Sequence, residues 1–130
     1  MDNFYGLELK SPVKEEKVKK VEYELGVTFP KDYLEFITFS NGAEGNIGEN
    51  YIIIWPIEDI VELNDSYGIE DFIKGLILFG SDGGNTAFAF DTRTNEAKIV
   101  TVPFIGFELN EVTTCSNTFK RFLKNFLNTN

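Results

Sequence analysis

The segment from residue 76 to residue 102 constrains the fold of this chain more than any other part of the sequence. It contains three apolar runs, LILF, TAFAF and AKIVTV, separated by the turn sequences GSDGGN and DTRTNE. Short apolar runs bounded by glycine-rich or polar turns are typical of buried strands. Alternation in the second run puts its two phenylalanines on one face and its two alanines on the other. The segment therefore predicts three strands joined by tight turns.

Helical patterns occupy much of the chain before this segment. SPVKEEKVKKVEYELG predicts a first helix, with Ser11 as the N-cap and Gly26 as the left-handed stop. FPKDYLEFITFSNG has apolar residues at i, i+4, i+7 and i+8, the pattern of a buried helix face. A glycine-rich loop over residues 42–50 is then expected before the strand YIIIW, and IEDIVELNDSYG predicts a third helix.

The order of these elements indicates the fold class. Helices come first, a run of strands follows, and an amphipathic helix, SNTFKRFLKNFL, ends the chain with Leu127 on its apolar face. This order predicts an α+β fold and not alternating βαβ units. Because 130 residues are enough for one core, we expect a single domain over residues 1–130.

The apolar runs and the cysteine count favour a soluble protein in the cytoplasm. No run is long enough to span a bilayer, and the first residues lack the pattern of a signal peptide. A single cysteine, Cys115, permits no internal disulfide and is interpreted as a small hydrophobic residue.

Acidic residues outnumber basic ones and concentrate in the middle of the sequence. The chain has 21 Asp and Glu against 12 Lys and Arg, a net charge of −9. Ten acidic residues and no basic residue lie between Lys31 and Lys74. Such a chain repels nucleic acid and anionic membranes and attracts cationic partners. We therefore expect no direct binding to nucleic acid or to a membrane.

The absence of histidine narrows the possible chemistry. Ser-His-Asp and Cys-His nucleophile systems need an imidazole, so both are excluded. A zinc site is also excluded, because the chain has one cysteine and no histidine as ligands. Carboxylate chemistry remains, with Asp91 and Glu96, or Asp82 and Asp91, as the acid–base pairs to consider. Carboxylates beside polar turns usually keep ordinary pKa values. We therefore expect no enzymatic activity, no cofactor and no metal.

Two further motifs each have a functional and a structural interpretation. GSDGGN could cradle a phosphate, but no lysine follows it and the next element is a strand. Glycines at positive φ in a tight turn explain it more simply. On the third helix Glu58, Glu62 and Asp65 share one face, with Asp59 at its edge. That face is either solvated, a divalent-cation site or a recognition face for a basic partner, and we prefer the partner to the cation.

Four blocks of sequence resemble the SUKH superfamily. They are VKKVEYELGVTFPKDYLEFITFSNGAEG, IIIWPIEDIVELN, ILFGSDGGNTAFAFDTRTNEAKIV and SNTFKRFLKNFL, which together cover about residues 14–127 in the order of that family. The resemblance implies an α+β fold in which helices pack around a mixed, strongly bent sheet. It also implies no catalytic residues. One departure is Asn85-Thr86, where the family commonly has Gly-Asp, so no role of that aspartate is transferred.

The resemblance also implies two functions. Most bacterial members resemble immunity proteins that bind and neutralise a polymorphic toxin, often a nuclease. Eukaryotic members resemble regulators of cell-wall assembly that act through protein contacts. We expect the first function, and the alternative is a non-catalytic protein-binding scaffold of the second kind. A carboxylate enzyme or metal-binding protein, and a small-ligand sensor built on the sheet, are further alternatives.

The acidic stretch and the resemblance point to the same partner. A nuclease presents a cationic surface to phosphates, and carboxylates on an inhibitor can cover that surface and speed association. We therefore expect the partner to be a cognate toxin with a basic nuclease domain. Trp55 is expected in the core by default, beneath or beside the contact surface. The expected partner-binding residues are Glu44, Glu49, Trp55, Glu58, Asp59, Glu62 and Asp65.

Overall fold

The computed structural model describes residues 4–94, 98–106 and 108–126. Its α-helices are α1 (Glu15–Leu25), α2 (Lys31–Phe39), α3 (Ile57–Tyr67), α4 (Ile69–Phe72) and α5 (Phe119–Asn125). Its strands are β1 (Glu8–Leu9), β2 (Ala43–Ile47), β3 (Asn50–Ile54), β4 (Leu76–Ser81), β5 (Thr86–Asp91), β6 (Lys98–Pro103) and β7 (Thr113–Ser116). In this part of the chain no helix is both long and apolar enough to cross a membrane.

The strands form one sheet in the order β1-β2-β3-β4-β5-β6-β7. The expected α+β class is confirmed. Every pairing between the described strands is antiparallel, so the expectation of a mixed sheet is wrong for them. The physical reason lies in the connections. Each strand pairs with its neighbour in sequence. Even the long connection through α3 and α4 leads to β4, which runs antiparallel to β3. A parallel pair would need a crossover connection instead.

Apolar side chains cover both faces of the central strands. Phe79, Phe88 and Phe90 belong to the core that includes residues of α1, α2 and α5. Ala87 and Ala89 belong to a second core on the other face, together with residues of α4. The predicted division of β5 into a phenylalanine face and an alanine face is confirmed. Burial on both sides also explains why the first four residues of β4, LILF, are all apolar and do not alternate.

The first core is centred on the ring of Tyr33, in α2. Its centroid lies 4.9 Å from that of Phe90, 5.1 Å from Phe29 and 5.2 Å from Phe119, each in an edge-to-face arrangement. Aromatic pairs of this kind add about 0.5–1.5 kcal/mol each to the effect of burial. Burial also raises the pKa of the Tyr33 phenol. One ring thus joins α2 and α5 to the sheet.

Asn64, in α3, takes the place of a strand along one edge of β4. The pairing of β3 with β4 is limited to two registered positions near the end of each strand. Where the strands separate, Oδ1 of Asn64 accepts a hydrogen bond from the Leu78 N–H at 2.8 Å, and Nδ2 donates to the Leu78 carbonyl at 2.9 Å. Nδ2 also donates to the Ile60 carbonyl at 2.7 Å. Backbone groups of the central strand are thereby satisfied without water.

Replacing Asn64 with alanine is expected to lower the free energy of unfolding by about 2–4 kcal/mol. The change leaves the buried N–H and carbonyl of Leu78 without partners, each at a cost of about 1–3 kcal/mol. Urea denaturation followed by circular dichroism measures the effect. Asn117→Ala is the control, because Asn117 is exposed. Equal stability of the two variants would contradict this role of the amide.

The region predicted as a glycine-rich loop contains a strand. Residues 43–47, AEGNI, form β2, which pairs with β3 over all five of its residues. Glycine and asparagine are depleted in strands, so this sequence has little β-propensity of its own. Pairing with the strongly β-forming YIII sequence of β3 determines its conformation. The prediction of a loop over residues 42–50 was therefore wrong.

The start of α1 also differs from its prediction. The helix begins at Glu15 with Lys14 as its N-cap, whereas its end at Gly26, in the left-handed conformation, agrees with the prediction. Ser11 instead accepts a backbone hydrogen bond from Asn41 at 2.9 Å. This contact holds residue 11 outside α1 and beside the end of α2. The inward position predicted for Leu127 lies outside the described residues.

Candidate protein-binding surface

The acidic residues of α3 lie on the side of the helix that faces solvent. The buried positions of this helix are Ile57, Ile60 and Asn64. The opposite positions are Glu58, Glu62 and Asp65, which are exposed, and Asp59 is half-buried beside them. The arrangement follows from helical periodicity, because residues at i, i+4 and i+7 share one face. Glu58, Glu62 and Asp65 thus form one row with Asp59 at its edge, and we call these four carboxylates the α3 acidic face.

No basic side chain neutralises the α3 acidic face within the described residues. The ion pairs found there involve the carboxylates of Glu8, Glu22 and Asp91. The lysine-rich helix α1 packs against α3, yet none of its lysines lies within ion-pair distance of an α3 carboxylate. The acidic residues of α3 therefore act together as one negative field at this surface.

Glu58 differs from the other members of the α3 acidic face because Asn41 holds it in place. Nδ2 of Asn41 lies 2.9 Å from both carboxylate oxygens of Glu58. Oδ1 of the same side chain accepts a hydrogen bond from the Ile57 N–H at 2.7 Å, which satisfies a donor in the first turn of α3. Glu58 thus has a structural role as well as its charge, whereas Glu62 and Asp65 make no side-chain hydrogen bond to the described residues.

The two other expected carboxylates lie on the β2–β3 hairpin. Glu44 pairs with Ile53, close to the end of β3 from which the chain enters α3. The hydroxyl of Tyr51 donates a hydrogen bond to Glu44, and this bond raises the pKa of the Tyr51 phenol. Glu49 is exposed at the other end of the hairpin, five residues from Ile54 and so about 17 Å away along the strand. Glu44 is therefore much closer in the fold to the start of α3 than Glu49 is.

Trp55 lies beneath the surface and supports another aromatic residue. Its side chain is 8% exposed, and its ring stacks on that of Tyr67 with centroids 6.3 Å apart and planes 11° apart. Tyr67, at the end of α3, is 42% exposed and lies 4.7 Å from the ring of Phe104. Tyr67 was not among the expected partner-binding residues. One sequence feature could have identified Tyr67 as a residue of this helix surface. It lies four residues after Leu63 and eight after Asp59, so the three share one stripe of α3.

The glycine turn between β4 and β5 is held by Asp82. Its Oδ1 accepts hydrogen bonds from the N–H groups of Gly84 at 2.8 Å and Thr86 at 3.2 Å. Gly83 has a φ of 84°, and a Cβ at Gly80 would lie 2.2 Å from the carbonyl oxygen of Ile53. The expected tight turn is confirmed, with positive φ at Gly83, whereas the close packing of Gly80 against Ile53 was not predicted. Because the carboxylate of Asp82 already accepts N–H groups of this turn, the turn does not favour an anion site.

The acid–base pairs considered from the sequence gain no support. Nε and Nη2 of Arg93 donate to the carboxylate of Asp91 at 2.9 and 2.8 Å, and these hydrogen bonds hold the pKa of Asp91 below its usual range. Glu96, the other member of one pair, lies outside the described residues. Among the residues that are described, no three His, Cys, Asp or Glu side chains are grouped so that they could share a metal ion.

Comparison with known proteins identifies the family. The family model of the SMI1 / KNR4 family (SUKH-1) matches residues 12–125. The chain belongs to this family. The SUKH family is generally non-catalytic. The chain is also 37% identical over 93 residues to an uncharacterized protein, YnaB, of Bacillus subtilis (strain 168). That match covers 68% of this chain and 56% of YnaB, so the chain spans little more than half the length of this relative.

Removing the negative charge of Glu44 is expected to lower the pKa of Tyr51 in this SUKH-1 protein. The hydrogen bond to Glu44 stabilises the protonated phenol, and Glu44→Gln weakens it. Because the pKa of Tyr51 is raised in the folded state, the bond stabilises the fold below the unfolded pKa of about 10. That contribution is lost as the pH rises through the folded pKa.

Absorbance at alkaline pH measures this titration, and Tyr51→Phe identifies which tyrosine is responsible. Glu49→Gln removes a charge from the same hairpin without removing the hydrogen bond, so it is the matched control. An unchanged Tyr51 titration in Glu44→Gln would show that the two side chains do not interact in solution.

Proposed function

We propose that this SUKH-1 protein is an immunity protein that binds and neutralises a cognate polymorphic toxin. The toxin that fits best is a nuclease with a cationic surface, and the two proteins meet in the cytoplasm. The observation that carries the proposal is the α3 acidic face, which combines four neighbouring carboxylates with the lack of any ion pair to them among the described residues. Family membership supports it, since the resemblance drawn from the sequence implies immunity proteins among bacterial SUKH members.

The charge of the surface explains why a nuclease is the preferred target. An enzyme that binds nucleic acid gathers lysine and arginine where the phosphates lie. The carboxylates of Glu58 and Asp65 are seven residues apart in α3, so the acidic row extends about 10 Å along the helix. A row of this length can face several basic side chains of the toxin at once. Opposite charges on two proteins accelerate their encounter and disfavour partners of the wrong sign.

Inhibition requires only binding. The protein has no histidine, and the carboxylates of Asp82 and Asp91 are engaged by backbone donors and by Arg93. Because both carboxylates already accept these hydrogen bonds, neither is available as a general base. We therefore propose a non-catalytic inhibitor that covers the surface of the toxin and needs neither a cofactor nor a metal.

Reversing charge on the α3 acidic face is expected to slow association with the toxin about tenfold or more. Glu62→Lys with Asp65→Lys changes the net charge by four units, and within the described part of the chain it removes no side-chain hydrogen bond. The toxin is first recovered from the source organism by affinity capture with salt elution. Stopped-flow mixing then gives the association rate constant, and a nuclease assay gives the inhibition.

The matched control is Glu16→Lys with Glu24→Lys, which makes the same charge change at exposed positions of α1. Equal slowing in both double variants would mean that only net charge matters. No slowing in either would remove the α3 acidic face from the interface. A recovered partner that is neither toxic nor inhibited would favour the scaffold function of the cell-wall-regulator kind.

A further inference from the structure

A cavity of about 350 Å³ is bordered by the β2–β3 hairpin, the glycine turn and the end of α5. We call it the hairpin cavity. Its apolar lining includes Phe88, Cys115 and Phe126, and two acidic residues, Glu49 and Asp82, line it as well. Of the described residues around it, none is basic. Cavities that bind ligands in proteins have volumes of about 300–1,000 Å³ and combine apolar walls with a few polar groups.

Contacts between its walls hold the hairpin cavity in shape. Nδ2 of Asn50 lies 3.5 Å from the carbonyl oxygen of Phe126, which joins the hairpin to the residue after α5. The ring of Phe126 in turn lies 6.0 Å from that of Phe88, measured between centroids. On the other side the hairpin touches the glycine turn, since a Cβ built on Gly83 would lie 3.0 Å from Cδ2 of Tyr51. A site ordered before binding loses little entropy when a partner docks.

The two carboxylates of the hairpin cavity have acceptor capacity that the described residues leave unused. Glu49 is exposed and takes part in no ion pair with a described residue. Oδ1 of Asp82 accepts the N–H groups of Gly84 and Thr86, whereas no described donor reaches its Oδ2. The basic residues of α5 line a separate depression. Two negative charges in a cavity with aromatic walls favour a cationic occupant over an anionic one.

We propose that the hairpin cavity receives a lysine side chain of the partner protein. The stem of the lysine lies along the apolar wall that includes Phe88 and Phe126, and its ammonium group is paired with the carboxylates of Glu49 and Asp82. Lysine fits because it combines a flexible apolar stem of four carbons with a compact charge at the tip. This inference rests on the proposed function, which supplies a basic partner, and it adds a contact apart from the α3 acidic face.

Cys115 reports on the hairpin cavity, because it is the one cysteine of the chain and it lines the cavity. Two thiol reagents of similar size and opposite charge, aminoethyl and sulfonatoethyl methanethiosulfonate, are compared on the full chain. The ratio of their rate constants is divided by the ratio found for the urea-unfolded chain, which cancels the intrinsic reactivity of the reagents. We expect folding to favour the cationic reagent about fivefold or more. A thiol that does not react in the folded chain would show that the cavity is closed and would overturn the inference.

Glu49→Gln with Asp82→Asn is expected to remove the preference for the cationic reagent. The asparagine keeps the Oδ1 acceptor on which the glycine turn depends. Glu16→Gln with Glu24→Gln is the matched control, since it removes the same charge from exposed positions of α1. An equal loss of preference in both double variants would mean that only net charge acts, which would overturn the inference. If the first double variant does not fold, Glu49→Gln alone decides, because Glu49 is exposed.

Protection of Cys115 tests the occupant itself. Hexa-lysine amide, as a defined probe, and the captured toxin should each slow labelling by the neutral reagent methyl methanethiosulfonate about fivefold or more, because both restrict access to the thiol. Protection by neither, with the toxin still inhibited, would overturn the inference and leave the proposed function intact. Protection by hexa-lysine but not by the bound toxin would place the cavity outside the interface and overturn the assignment of its occupant. Failure of both to bind the protein at all would contradict the proposed function as well.

Discussion

The side-chain amide of Asn64 joins helix α3 to the middle of strand β4, and the position of the whole candidate surface depends on it. The amide is buried and makes hydrogen bonds of 2.7–2.9 Å to Leu78 and Ile60. It supplies the donor and acceptor that β3 would have supplied had the two strands stayed paired. Where β3 and β4 are not paired, helix α3 is fixed to the central strand β4 instead. The outward side of that helix is the α3 acidic face.

The fixed position of α3 has consequences at both of its ends. At the start, Asn41 satisfies the Ile57 N–H and holds Glu58. At the end, Tyr67 stacks on Trp55 and remains partly exposed. Charge along the helix and an aromatic ring at its end are thus presented in one rigid arrangement.

Sequence periodicity predicted the elements that have strong patterns of their own, and tertiary contacts decided the others. The two faces of β5 and the solvent side of α3 follow from periods of 2 and 3.6 residues, so both could be predicted. Strand β2 could not, because AEGNI becomes a strand only through its pairing with β3. The exposure of Tyr67 above a buried Trp55 was also hidden, since it depends on how the loop after β6 returns to the sheet. The separation of Glu44 from Glu49 depended on that same unpredicted hairpin.

The dependence of the association rate constant on ionic strength tests the central claim most directly. The measurement uses the full chain and the toxin recovered with it, at ionic strengths from about 0.01 to 1 M, over which the Debye length falls from about 30 to 3 Å. If the α3 acidic face guides the encounter, the association rate constant should fall at least tenfold over this range, while the dissociation rate constant changes much less. An association rate constant that does not change with salt would contradict recognition through the acidic surface.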